Sequence, residues 1–126
     1  MVAIKHLAAI AVAGAAGAVL RYTVSNAVYR LFGQDFPYGT LAVNVLGSLL
    51  IGYGFVVLIE RSLLGDTWRL AILVGLLGSF TTFSTFSLET LSLFTQGAAL
   101  RASVNVVASV VLCLAACWAG IVLGRQ

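Results

Sequence analysis

Four long apolar stretches, joined by connections of ten residues or fewer, constrain this chain more than any other feature. They run from about Leu7 to Phe32, Thr40 to Ile59, Leu70 to Phe94 and Ala102 to Leu123. Each reaches or exceeds the ~20 residues a helix needs to cross a hydrocarbon core of ~30 Å. The connections are GQDFPYG, ERSLLGDTWR and TQGAALR, too short to hold a soluble domain. Charged residues make up only 9% of the sequence, against about 25% in a soluble domain. The expected fold is therefore all-α and integral to the lipid bilayer: one four-helix transmembrane domain over residues 1–126. The first segment follows Lys5 and resembles a signal peptide in outline. It has no convincing cleavage region and runs straight on, so it reads as a retained span. The pI of about 9.2 suggests no nucleic-acid partner, because the basic residues are scattered and flank the spans.

Four spans put Lys5, Arg61, Arg69 and Arg125 on one face of the membrane. Arg30 and Arg101 lie on the other, joined by Arg21 if it reaches that side. So small a bias does not instruct one orientation. A chain that inserts both ways can form an antiparallel dimer; a count too small to carry meaning is the plainer reading. Four helices fill their own interior with side chains, so a polar path is more easily built between subunits. Gly14, Gly17, Gly47, Gly52, Gly54 and the GxxxG at Gly120 and Gly124 permit close helix approach, with ordinary tight packing as the simplest account.

Polar groups at membrane depth are costly unless they face a bundle interior or an aqueous path. Arg21, in GAVLRY, either snorkels to the interface or holds a partner deeper in. Asn44, in LAVNVLGSLLIG, either bonds a neighbouring helix or offers amide donors to an anion. Asn105, Ser109 and Cys113 recur at four-residue spacing and share one face of the fourth helix, as a seam or as a polar track; Ser103 is off that face. Cys113 and Cys117, with a single histidine in the chain, cannot complete a Cys/His metal site within a subunit and read as packing residues.

The third span contains GLLGSFTTFSTFS, Gly75 to Ser87, with six hydroxyls, three phenylalanines and two glycines. Gly75 and Gly78 followed by TTFSTFS favour a local break in the helix. Such a break is tolerated at membrane depth where protein or a polar cavity satisfies the freed backbone. Freed carbonyls can hold a hard cation such as Na⁺, and the new helix N-terminus offers N–H donors to an anion. Phe80 and Phe83 share a face if the chain is helical there. Their ring edges carry positive charge, although plain packing is the commoner role of such a pair.

GAAGAVLRY (Gly14 to Tyr22), GTLAVNVLGSLLIG (Gly39 to Gly52) and GLLGSFTTFSTFS occur in this order, and together they resemble the Fluc/CrcB family of fluoride channels over essentially the whole chain. The resemblance implies an antiparallel, dual-topology homodimer with two fluoride pores, a third helix broken mid-membrane, and a buried structural Na⁺ at the dimer centre. By motif position the Na⁺ would be held by the main-chain oxygens of Gly75 and Gly78. The paired pore phenylalanines would fall on Phe80 and Phe83, the pore asparagine on Asn44, the first-span arginine on Arg21, and the polar track on Asn105, Ser109 and Cys113. The chain departs from the pattern there, since the first track position is often Tyr in relatives and Cys is a poor donor. Thr40, Thr82, Ser84 and Glu89 would add to the polar route.

The implied function is passive export of cytoplasmic fluoride across a bacterial inner (plasma) membrane, protecting against fluoride toxicity. The nearest alternative is a small dual-topology, proton-coupled multidrug exporter, for which Glu89 is the one candidate carboxylate inside a span. A non-transporting assembly subunit would explain the glycines but not the buried polar groups together. No nucleophile–base pairing, metal set or phosphate loop supports an enzyme.

Overall fold

The computed structural model describes residues 3–126, all helix and short connections. Helix α1 spans Ile4–Phe32. Helix α2 spans Tyr38–Glu60, beginning beside Pro37 and widening over Phe55–Glu60 into a π-type turn. There the Arg61 N–H reaches back to the Val56 carbonyl at 2.8 Å, five residues away. The third apolar segment is two helices. Helix α3 covers residues 66–80, with a second π-type turn over Ala71–Leu76. Helix α4 spans Phe83–Thr95. Between them Thr81 and Thr82 are extended, with φ,ψ of −90°,159° and −154°,116°. Helix α5 spans Ala99–Arg125. These give four stretches, Ile4–Phe32, Tyr38–Glu60, Asp66–Thr95 and Ala99–Arg125, long and apolar enough to cross a membrane.

Local chemistry sets the ends. Gly33 closes α1 at φ +88°, donating its N–H to the Tyr29 carbonyl at 2.8 Å. Gly97 closes α4 at φ +81°, and the Ala98 N–H returns to the Leu93 carbonyl at 2.8 Å. Both use the left-handed backbone that glycine adopts at helix C-termini.

Two seams hold the bundle. Along α1 and α3, a Cβ on Gly17 would collide with the Leu76 carbonyl, and one on Gly75 would lie 2.8 Å from the Ile10 carbonyl. Along α2 and α5, a Cβ on Gly52 would collide with the Cys117 carbonyl, and one on Gly120 with the Leu49 carbonyl. Each seam thus has glycine facing backbone from both sides. Dispersion contacts between close backbones are what associate helices in lipid, where tails compete equally for apolar side chains. Val43, Val56 and Ala102 form the driest core positions, while apolar side chains such as Ile4, Leu31 and Leu100 face outward.

Two ion pairs sit at helix ends. Arg125 donates to Glu60 through Nη2 at 2.6 Å and Nε at 3.2 Å, and Arg69 pairs with Asp66 at 2.7 Å.

Candidate functional site

A helix interrupted among apolar neighbours must find partners for its freed N–H and C=O groups. Asn44 on α2 supplies two of them. Its Nδ2 donates to the Thr82 carbonyl at 2.9 Å, and its Oδ1 accepts from the Thr82 N–H at 2.7 Å. The amide pairs with Thr82 much as a neighbouring strand would. The threonines then close the two helix ends. Thr81 donates through both N–H and Oγ1 to the Leu77 carbonyl, at 3.2 and 3.1 Å, finishing α3. Thr82 Oγ1 accepts the Thr85 N–H at 3.1 Å, capping α4, and it also bonds the hydroxyls of Thr85 and Ser84 at 3.0 and 3.2 Å. Arg21 comes across from α1 and donates Nε to the Ser79 carbonyl at 3.0 Å. A cation at the C-terminal end of α3 also complements that helix's dipole. Arg21 therefore holds a partner inside the subunit.

Beside the interruption lies an open groove of about 370 Å³. Asn44, Gly47 and Ser48 of α2 form one wall, and Ser109 and Cys113 of α5 another. Thr82 and the rings of Phe83 and Phe86 complete it. The two rings stand 5.3 Å apart, tilted by 46°. None of the residues lining the groove is charged.

Phe80 does not line this groove. It is 5% exposed and belongs to α3, whereas Phe83 is 78% exposed and belongs to α4. The three-residue spacing that would align Phe80 with Phe83 on a continuous helix loses its meaning across two extended residues. Phe83 is instead paired with Phe86, a residue the sequence reading passed over; an i,i+3 count restarted at the break would have found it. Gly75 and Gly78 lie within α3, ahead of the interruption. Gly75 packs on α1, whereas Gly78 is exposed, and a Cβ there would touch nothing closer than the Leu73 carbonyl at 3.7 Å.

The ladder on α5 divides in two. Asn105 is buried and donates Nδ2 to Thr90 Oγ1 at 2.9 Å, making it a seam to α4. Ser109 joins that seam, donating to Asn105 Oδ1 at 3.4 Å, and lines the groove as well. Cys113 lines the groove and is a free thiol.

Thr40, Ser84 and Glu89 are not all in one place. Ser84 is exposed at the start of α4. Thr40 and Glu89 meet further along α4, where Thr40 Oγ1 donates to Glu89 Oε1 at 2.6 Å and Tyr29 OH donates to Oε2 at 3.0 Å. Glu89 and Tyr29 face a second, polar groove of about 470 Å³ with Asn26, Gln34, Asp35 and Gln96. Tyr29 went unnoticed in the sequence because its hydroxyl acquires meaning only through a carboxylate sixty residues away. Among the described residues, no three His, Cys, Asp or Glu side chains cluster as a metal site would require.

Residues 8–121 match the family model described as "CrcB-like protein, Camphor Resistance (CrcB)". The chain is 58% identical to the fluoride-specific ion channel FluC of Methylococcus capsulatus, over 95% of this chain and 53% of that protein. It thus spans about half the length of that relative. It is 52% identical to the FluC of Geobacter sulfurreducens, covering 94% of this chain and 95% of the relative. Identity to the FluC of Magnetococcus marinus is 49%, over 95% and 98%.

Proposed function

The chain belongs to the CrcB family, and on that premise we propose that it is a fluoride-selective channel, not an enzyme. In this reading it is a multi-pass protein of the bacterial inner membrane that lets fluoride leave the cytoplasm passively. The observation that carries the reading is the uncharged groove beside the interruption. Fluoride is small and strongly hydrated, so a pore must replace its water with donors. A fixed cation would hold it too tightly for rapid exit. The groove has neutral donors of the required kind. Asn44 spends one Nδ2 hydrogen on Thr82 and keeps the other. Ser109 lines it with a hydroxyl and Phe83 and Phe86 with rings, whose edges carry the positive side of the aromatic quadrupole. The N-terminus of α4 adds the positive end of its dipole. Thr40 and Glu89 would stand at the outer end of the route, and Cys113 along the wall as a weak donor.

The same groove supports a dimer. Phe83, Ser84 and Ser87 face out of the subunit, and hydroxyls at membrane depth need a protein or aqueous neighbour. A second copy in antiparallel orientation would cover each groove and make two pores per dimer. The near balance of basic residues between the faces permits both insertions. Thr81 and Thr82 fall near the middle of the segment Asp66–Thr95; if that segment crosses the bilayer, the interruption would lie near mid-membrane.

A structural Na⁺ shared by two copies fits part of this geometry. The Thr82 N–H, which would close the next helical turn on the Gly78 carbonyl, goes to Asn44 instead. Gly78, an exposed residue, is thereby left with a hard oxygen that has lost its helical donor. Such a carbonyl suits Na⁺. Gly75 sits earlier in the helix, where contact with α1 accounts for it. When bound, the ion would supply positive charge and a lock between subunits.

The relatives described above are named as fluoride channels, and none as a drug exporter. The test is ion efflux from liposomes holding the purified protein, driven by a K⁺ gradient with valinomycin, with fluoride and chloride measured in parallel. Fluoride efflux without chloride efflux and without a pH gradient is expected. A verified, folded protein that passes no fluoride would sink the proposal.

A further inference from the structure

Asn105 sits where the ladder on α5 turns away from the groove, and its two ends have different partners. Nδ2 is fixed by Thr90 Oγ1 at 2.9 Å, and Thr90 is itself fixed by donating to the Phe86 carbonyl at 2.7 Å. The amide is therefore oriented from α4, with Oδ1 aimed at Ser109. The Ser109 hydroxyl donates to it at 3.4 Å, long for an O–H···O bond, whose usual range is about 2.5–3.0 Å. Asn105 and Thr90 are buried and do not line the groove, whereas Ser109 does. A serine has one proton to give. While Asn105 holds it, the groove faces the oxygen lone pairs of Ser109, which repel an anion. An arriving anion would have to draw that proton away from Asn105 to be met by it.

Resting on the fluoride reading above, we propose that Asn105 is a positioning residue that competes with the permeating anion for the Ser109 hydroxyl, and so sets how tightly the groove holds fluoride. It acts through Ser109 and does not touch the ion. Too strong a donor would trap fluoride. A donor with a resting partner binds less tightly by the value of the bond it gives up.

The test is a double-mutant cycle in the liposome assay, with flux measured against fluoride concentration. Asn105→Leu frees the hydroxyl. It is expected to lower the half-saturating fluoride concentration about threefold to tenfold, the equivalent of one modest hydrogen bond, and to lower the maximal flux. In a Ser109→Ala background the same substitution is expected to change half-saturation by less than about twofold, because residues that act as a unit are not additive. Thr90→Val releases the far end of the amide. It should shift half-saturation in the same direction by less, again only when Ser109 is present, and it serves as the probe if Asn105→Leu does not fold. Equal shifts with and without Ser109, or no shift in either background, overturn the proposal while leaving the channel reading standing. A wild-type protein that passes no fluoride overturns both.

Discussion

Helix α4 carries two polar clusters of opposite construction. At its start, neutral groups surround a gap in the backbone: the Asn44 amide completes Thr82, and Phe83, Phe86 and Ser109 line an uncharged groove. Two turns on, hydroxyls surround a charge, with Thr40 and Tyr29 both donating to Glu89. The first arrangement leaves donors facing a space. The second spends its donors on the protein's own carboxylate. An anion needs the first kind of surface, so on the proposed reading the groove would be the place for passage and the Glu89 cluster a polar threshold beside it.

Removing the clamp should have the largest effect. Asn44→Ala leaves the N–H and C=O of Thr82 without partners, each costing about 1–3 kcal/mol. Folded yield should drop in size-exclusion chromatography. Flux from the protein that survives should fall about a hundredfold or more, equivalent to ~2.7 kcal/mol on the barrier. A folded Asn44→Ala protein with unchanged flux would show that the groove does not depend on the interruption.

The phenylalanines sharpen the comparison further. Phe83→Ile and Phe86→Ile should each reduce fluoride flux about tenfold, close to the upper value of an aromatic contact, with melting temperature little changed for the exposed Phe83. Phe80→Ile should do the reverse, keeping flux within about twofold while losing ~1–2 kcal/mol of stability as a core substitution. If Phe80→Ile proved the more damaging to flux, the groove would be on the wrong face of the segment.

Glu89→Gln should have the smallest effect. The amide oxygen can still accept from Thr40 or Tyr29, so fluoride flux should stay within about threefold of wild type, an allowance set by one hydrogen bond, and chloride should remain excluded. Abolished fluoride flux together with movement of an organic cation would make Glu89 a coupling carboxylate and restore the exporter reading.

The sequence shows the four spans plainly because apolar length is a one-dimensional signal. It also shows that the third span is unusual, since hydroxyls crowd TTFSTFS. Where the interruption falls was harder to read. Gly75 and Gly78 draw attention as helix breakers, yet Gly75 is used for contact with α1, and the extended residues are Thr81 and Thr82. Threonine is not a breaker by propensity alone. It serves here because Thr81 and Thr82 each satisfy a helix end and Asn44 satisfies the backbone between them, which is tertiary information. The pairing of phenylalanines followed from the same point: Phe80 and Phe83 align on one helix, and the structure has two. The spacing along α5 leaves Asn105 open as a seam residue or a rung of a track, and its attachment to Thr90 cannot be seen from that spacing.

The glycine seams bear on how transport can be timed. Gly17 and Gly75 bring α1 and α3 together at the backbone, and Gly52 and Gly120 do the same for α2 and α5. A transporter that alternates between inward and outward states needs helices with two packings of similar energy. Backbones in contact along a seam have little freedom to slide, because carbonyls would strike Cα atoms at once. On the proposed reading, a subunit locked in this way would be a fixed landscape that the ion crosses by exchanging partners, with local side-chain rotations in place of rocking. Its pace would then follow hydration and donor strength along the groove, with the weak temperature dependence of diffusion.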